Sequence, residues 1–478
     1  MNAVSDDQLD YDVCVIGAGI AGIGFAYRLQ ERMGKDLKYC VLEGRHELGG
    51  TWSLFQYPGT RSDSDMHTFG YPWRAWTRKE IIAPRATIME YLKECTAAEG
   101  IDSKILYQHR VERMSWSTAS KSWSLDVTVG GRDTSVTQTV IRARFLLLGT
   151  GYYDNKVPLE AHIPGIENFG GTTIHPQFWP SGFDYRNKNI VVIGSGATAI
   201  TIVPAMAQEA AHVTMLQRSP SYIIEGKYDD SLYDRVVKLL WPTRMASWFI
   251  RVKWILMSIF IVTFCDKFPQ AATKAMNAQT MKLLPAGMNL APDFTPSYTP
   301  FQQRFVKTGA IDKVTKTSII LKSGEELHPD VIITATGLKL QPLGGIEIMV
   351  DDKPYDVSQH FVWKSSMLED LPNVMYVIGY INSSWTLAAD TTAQFACRIL
   401  KKMKDDGTKM VVPRLKQSER QKMKEVPFFP FTSTYVQRGK SVLPKVSDRP
   451  QWERRSFYWR DLAIAWWGDI ESCLEWAS

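Results

Sequence analysis

Two short glycine patterns are the first residues in this chain that could do chemistry. Gly17, Gly19 and Gly22 follow the apolar run 11–16 and open the stretch 20–33. Gly194, Gly196 and Ala199 stand in the same way between 189–193 and 197–208. Each pattern reads as strand, turn and helix. The first glycine permits the tight bend, and the second lets backbone approach a pyrophosphate. The third small residue lets helix and strand pack, and the pyrophosphate meets the positive end of the helix dipole. Ile20 belongs to the first turn; Ser195, Ala197 and Thr198 belong to the second.

The end of the next strand selects the nucleotide. After the first turn the run 38–42 ends at Glu43, a carboxylate placed to accept from ribose hydroxyls, as FAD and NAD sites require. After the second turn the run 212–216 leads into Gln217, Arg218 and Ser219, with no acid. Arginine suits a 2′-phosphate through a charge-assisted, bidentate contact. The first site is therefore expected to hold FAD or NAD, and the second NADPH. Gly49, Gly50, Thr51 and Trp52 would let a loop run against a flat ring system, with Trp52 offering a plane beside it.

Two such units need a larger frame. The chain has 478 residues, 45% hydrophobic and 22% charged, which suggests roughly three domain-sized units of a soluble globular enzyme. Further apolar strands are expected at 144–148, 330–334 and 374–378. The fold class is α/β, with two Rossmann-like dinucleotide-binding domains and a helical insertion. The flavin-side domain is expected over 1–153 and 346–478, a connector over 154–188, the NADPH domain over 189–222 and 300–345, and the insertion over 223–299. The connector carries Phe169, Gly171, His175, Trp179 and Pro180, which spell FxGxxxHxxxWP.

The six cysteines (14, 40, 95, 265, 397 and 473) show no CxxC or zinc-type spacing. Free thiols in a reducing, cytoplasmic setting follow, with no metal site. A disulfide reductase also pairs FAD with NAD(P)H, but needs a dithiol that this spacing lacks. Residues 1–10 are polar and acidic, unlike a secretory signal. Trp254–Cys265 is uncharged, preceded by Arg251 and Lys253. It is shorter than the ~20 residues of a membrane span. A buried helix is the plain reading and a membrane-surface helix the sharper one, making peripheral membrane contact the alternative to a freely soluble protein. Residues 401–460 hold 16 Lys+Arg against 6 Asp+Glu, +10 in a chain of net +6. A solvated face is the plain reading of that segment, and no nucleic-acid-binding motif accompanies it.

Taken together these residues resemble the class B flavin monooxygenases of the Baeyer–Villiger type. The string at 169–180 matches that type's fingerprint at every specified position. Arg61-Ser62-Asp63-Ser64-Asp65-Met66, Phe294-Thr295-Pro296 through Gln303-Arg304, Ile333 to Leu338, and Asn382 to Leu387 look most like the ethionamide monooxygenase branch. The resemblance weakens after about residue 400. It implies that NADPH reduces FAD, that reduced flavin and molecular oxygen form a peroxyflavin, and that this attacks a lipophilic ketone to give an ester or lactone. The same species oxidises sulfides. A heteroatom monooxygenase without ketone insertion is the other enzyme reading, and a non-catalytic nucleotide-binding protein or membrane-docked sensor is the remaining class.

The resemblance also assigns roles. Arg304 is the fixed positive charge beside the peroxide. Asp63 is a carboxylate by the flavin that orients Arg304 and the nicotinamide. His175 and Trp179 couple domain movement to NADP binding, so His175 serves the reaction without acting as acid or base. Ser64 and Val111 join the FAD set; Arg61, Thr336 and Gly337 join the NADPH set.

Overall fold

The structure is a computed structural model. It describes residues 8–478 except 79, 131–134, 218–219, 221, 223–230, 285–286, 297, 299–310, 430–433 and 456. Strand β1 (Tyr11–Ile16) buries its last four side chains, so both of its faces are covered, as a central parallel strand requires. Helix α1 (Ile20–Met33) returns over the sheet, and β2 (Tyr39–Glu43) lies parallel to β1 with Cys14 opposite Cys40. Two single-turn helices follow, α2 (Thr51–Leu54) and α3 (Met66–Phe69), then α4 (Arg85–Ala98). Strand β3 (Ile105–Tyr107) extends the sheet beyond β2.

An antiparallel meander comes next: β4 (His109–Ser117), β5 (Ser122–Val129) and β6 (Thr137–Leu148). Strand β6 is long enough for two roles. Residues 137–143 pair antiparallel with β5, and 143–148 run parallel beside β1. Its period-two pattern builds two cores. Phe145 and Leu147 face the helices α1 and α9 (Trp385–Asp406), while Leu146 and Leu148 join Trp116 and Trp123 on the other face. Arg28 of α1 donates from Nε to Asp390 of α9 at 2.8 Å, a buried pair that fixes the two helices.

The second unit is a four-stranded parallel sheet. It contains β7 (Thr172–Ile174), β8 (Asn189–Ile193), β9 (His212–Leu216) and a later strand, with α5 (Ala197–Met206) between β8 and β9. Helices α6 (Leu232–Leu240), α7 (Thr243–Lys267) and α8 (Pro269–Leu283) form the insertion. A small antiparallel sheet of β10 (Ile311–Val314), β11 (Ile319–Leu321) and β12 (Glu326–Leu327) leads to β13 (Val331–Thr334). Strand β13 inserts between β7 and β8, giving the order β7-β13-β8-β9. The chain then returns to the first sheet. Strand β14 (Glu347–Val350) lies parallel to β4 and forms a hairpin with β15 (Lys353–Pro354). Strands β16 (Val362–Trp363) and β17 (Met367–Leu368) form a second hairpin, and β18 (Val374–Tyr376) lies parallel to β6.

One sequence expectation changes here. The apolar segment is helical, but α7 buries only Ala246, Ile250 and Cys265, so a buried helix is the wrong reading. The physical reason is one-sided support: α7 packs on α3, α6 and α8 and leaves a long face open. The excess positive charge of 401–460 is partly matched by acids from elsewhere. Arg414 pairs with Asp370 and Glu475, and Arg420 with Glu369. Of the C-terminal tryptophans, Trp452 is core and Trp476 packs against it, while Trp459, Trp466 and Trp467 are exposed.

Candidate active site

The first glycine turn is built by exclusion. A Cβ on Gly22 would stand 1.7 Å from the Gly17 carbonyl oxygen, and one on Gly17 would stand 2.8 Å from that of Gly149. Gly17 also has φ +100°, a conformation that favours glycine. Gly19 caps α1 without any side-chain hydrogen bond, so the helix N-terminus is left for a ligand anion. Glu43 ends β2 beside this turn, 6% exposed. Its carboxylate accepts from the Ala18 N–H at 2.8 Å and from the Arg45 N–H at 3.0 Å. It therefore ties the turn together.

The loop after β2 leans on the same turn. The Gly49 N–H donates to the Ala18 carbonyl at 2.9 Å, and a Cβ on Gly19 would lie 3.4 Å from Gly50 Cα. Thr51 and Trp52 begin α2, and the Trp52 ring meets Phe69 edge-on at 5.5 Å. Val111 is buried in β4; its neighbour Arg110 packs where a Cβ on Gly44 would come within 3.4 Å, next to Glu43. The residues assigned to FAD at 17–22, 43, 50–52 and 111 thus share one end of the sheet.

The second turn is shaped differently. A Cβ on Gly194 (φ +140°) would stand 2.3 Å from the Ala335 carbonyl oxygen, which locks the turn to the end of β13. Gly196 caps α5 with no side-chain bond, and a Cβ there would meet nothing within 4 Å. Ala199 is fully buried, filling the third, close-packed position. Tyr57 packs on the core of the second sheet, and a Cβ on Gly59 would lie 2.6 Å from the Thr201 carbonyl oxygen. Loop 57–61 thereby joins the first unit to α5. An open cleft of about 490 Å³ lies beside it, lined among others by Tyr57, Arg61, Glu80 and Arg85. Asp63 is exposed next to Arg61, and Ser64 is half-buried. The protein packed around Asp63 raises its carboxyl above the ordinary value, and Arg61 opposes that.

The fingerprint string is woven into the second sheet. Thr172–Ile174 pairs with β13, so the connector supplies an edge strand. Gly171 cannot carry a Cβ: the Asp330 carbonyl oxygen would be 2.6 Å away and the Phe169 ring 2.7 Å. Trp179 packs on the core of the second sheet and against Phe183, while Pro180 is exposed. His175 Nδ1 accepts from the Gln177 N–H at 3.2 Å. His175 Nε2 and Thr336 Oγ1 are buried without a partner among the described residues, at the strand ends that lead to Gly337. Such orphaned polar atoms beside a glycine turn fit a bound nucleotide that would satisfy them.

Gln177, Asp154 and Lys339 complete this region, and nothing in the sequence marks them. The buried Gln177 amide donates to the Asp154 carbonyl at 2.6 Å. The Asp154 N–H donates to the Lys339 carbonyl at 2.8 Å and the Gln341 N–H to that of Tyr152 at 2.9 Å. Two chain passages between the units therefore run side by side, and the fingerprint grips one of them. Asp154 also pairs with Lys339 at 3.0 Å. Burial raises its carboxyl, but the Lys156 and Val157 N–H groups and Lys339 outweigh that and hold it below the ordinary range.

Burial lowers the His175 pKa, outweighing the opposing Gly337 backbone. A histidine whose folded pKa is depressed binds fewer protons folded than unfolded. Its stabilising share is present above the unfolded value of 6.5 and lost as pH falls through the folded value. Thermal melts of His175→Gln should therefore lose less stability than wild type below that pH; equal losses would show that His175 is not held neutral.

Arg218, Ser219 and Arg304 lie outside the described residues. One pairing hidden in the sequence does appear: Cys14 and Cys40 Sγ atoms are 3.5 Å apart across β1 and β2. Their mutual hydrogen bond and burial push the Cys14 thiol well up, the reverse of what a redox thiolate needs.

A model of flavin-binding monooxygenase-like proteins matches residues 80–451, and an NAD(P)-binding Rossmann-like domain matches 15–78. The chain belongs to the flavin-binding monooxygenase-like family. It is 40% identical to the FAD-containing monooxygenase EthA of Mycobacterium tuberculosis, over 96% of each chain. The solved polycyclic ketone monooxygenase of the fungus Thermothelomyces thermophila has the same fold, with a TM-score of 0.73 at 17% identity over 99% of this chain and 90% of that one. An oxidized steroid monooxygenase bound to NADP gives 0.72 at 18% identity, over 98% and 99%. Membership of this family accounts for two nucleotide turns in one chain.

Proposed function

We propose that this protein is an FAD-containing, NADPH-dependent monooxygenase that inserts one oxygen atom beside a ketone carbonyl and also oxidises sulfides. Ketone, O2, NADPH and a proton give ester or lactone, water and NADP⁺. The observation that carries this reading is the string at 169–180, set on the passage between the two glycine turns, with His175 Nε2 and Thr336 Oγ1 left buried and unpartnered among the described residues. Bound FAD would supply oxygen activation, and bound NADPH the hydride.

The chain's own groups do the rest. The α1 N-terminus would hold the FAD pyrophosphate and Glu43 the ribose; the α5 N-terminus would hold NADPH, with Arg218 and Ser219 serving its 2′-phosphate. The resemblance gives Asp63 the role of orienting Arg304, whose fixed positive charge would stabilise negative charge developing on the reacting oxygen. His175 and Gln177 tie nucleotide binding to the passage that relates the two units.

The test is product mass with matched ketones and thioethers, because NADPH consumption alone also counts uncoupled turnover. Ester is expected from the ketone. Arg304→Ala should still bleach with NADPH but lose roughly 10²–10³-fold in ester formation. The segments 61–66 and 382–387, similar to the ethionamide branch, favour a second reading, heteroatom oxidation alone. Sulfoxide with no ester would establish that reading in place of the first.

A further inference from the structure

Helix α6 presents its apolar stripe to solvent. Leu232, Val236, Leu239 and Leu240 recur at helical spacing, and they are 77%, 43%, 84% and 68% exposed. A soluble protein normally turns such a stripe inward. Its inward residues are Val237, packed on Ala246 and Ile250 of α7, and Asp234, which is fully buried and accepts from Lys253 Nζ of α7 at 2.5 Å. Ser231 and Asp234 close a capping box at the start of the helix. The stripe is thus held outward by a buried ion pair and a cap.

Helix α7 also exposes apolar side chains. Met245, Trp248, Leu256 and Phe260 fall within one side of the helix and are exposed. Fifteen of the twenty-five exposed large hydrophobics among the described residues lie between 232 and 288, so they concentrate in the helical insertion. Residues 231–284 carry eight Lys+Arg and two Asp, a net +6 equal to that of the whole chain. Arg235, Lys238, Arg244, Lys267, Lys274 and Lys282 are all exposed. Exposed Trp241, Trp248 and Tyr233 add the aromatic type that settles at a lipid–water boundary.

We infer that the α6–α7 face docks on a membrane surface bearing anionic lipid, with the helices lying in the plane of the headgroups. Apolar area enters the acyl boundary while the flanking cations meet anionic headgroups. Spanning is ruled out by what holds the inner side of α7. Arg251 Nη1 donates to the His67 and Gly70 carbonyls, both at 2.7 Å, and Ser258 reaches the Asn382 carbonyl at 3.4 Å. Crossing the bilayer would break all of these. His67 belongs to α3, which directly follows Asp63–Asp65, so the docked face backs onto the proposed site.

The test is co-sedimentation of the full-length, FAD-loaded protein with phosphatidylcholine vesicles, with and without roughly one-third phosphatidylglycerol. Binding is expected to the anionic vesicles and to weaken with salt. Leu239→Glu together with Leu240→Glu should lower the bound fraction at least about tenfold, with FAD content and NADPH bleaching unchanged. Tryptophan quenching of the wild type by brominated lipid chains needs no variant and should be seen. Failure to bind anionic vesicles, or absence of quenching, overturns the inference. So does a lipid-free dimer that the double variant converts to monomer, since the face would then belong to a second copy of this chain.

Discussion

Gly22→Ala is expected to yield protein that no longer retains FAD and has no monooxygenase activity. The added methyl would sit 1.7 Å from the Gly17 carbonyl oxygen, and that neighbour is backbone, which cannot swing aside as a side chain can. Either α1 lifts from β1 or the turn opens, and both move the helix N-terminus away from the pyrophosphate. Overpacking of this kind costs about 1–3 kcal/mol of stability, so the fold should survive while the site does not. Gly24→Ala is the control on the same helix. Its Cβ would make an ordinary 3.5 Å contact with the Tyr71 ring, and alanine is the better helix former by about 1 kcal/mol. The flavin-to-protein absorbance ratio and the melting temperature separate the two. Full flavin content in Gly22→Ala would remove this turn from the FAD site.

That contrast shows which features the sequence makes legible. The unit Tyr11–Glu43 was readable because an apolar run, three glycines at fixed spacing and a helical period all point one way. The same holds for Asn189–Leu216. Strand β7 was not readable: it has three residues, one of them buried, and exists because β13 offers an edge. Nor is the meander β4–β6 legible beyond its last apolar stretch, since β4 carries exposed charged residues. The contact between Cys14 and Cys40 follows from the parallel register of two strands and not from sequence spacing. Composition identified the apolar segment of α7 but could not say which side is supported, because that depends on where α3 and α6 lie. Gln177 was missed for a related reason: its significance is a backbone carbonyl 23 residues away in sequence.

Gly196→Asp should leave the fold and the FAD intact yet abolish NADPH-driven reduction. Gly22 and Gly194 are needed by the protein's own packing, whereas a Cβ on Gly196 meets nothing within 4 Å. Its φ of −82° and ψ of −176° suit any residue. Aspartate is a good N-cap and glycine only slightly poorer, so α5 should be unchanged or a few tenths of a kcal/mol more stable. On the proposed reading, the space left open at Gly196 is where the nucleotide would lie. A carboxylate there would face the NADPH pyrophosphate. Two like charges about 4 Å apart at an effective dielectric near 20 repel by about 4 kcal/mol, roughly a 10²–10³-fold loss of affinity. Flavin content, melting temperature and the NADPH concentration dependence of anaerobic bleaching are the three readouts. Normal stability with normal bleaching would place NADPH elsewhere, and a fallen melting temperature would mean that Gly196 serves the fold. The expected result, stability kept and reduction lost, would assign the second turn to its nucleotide by the sign of two independent measurements.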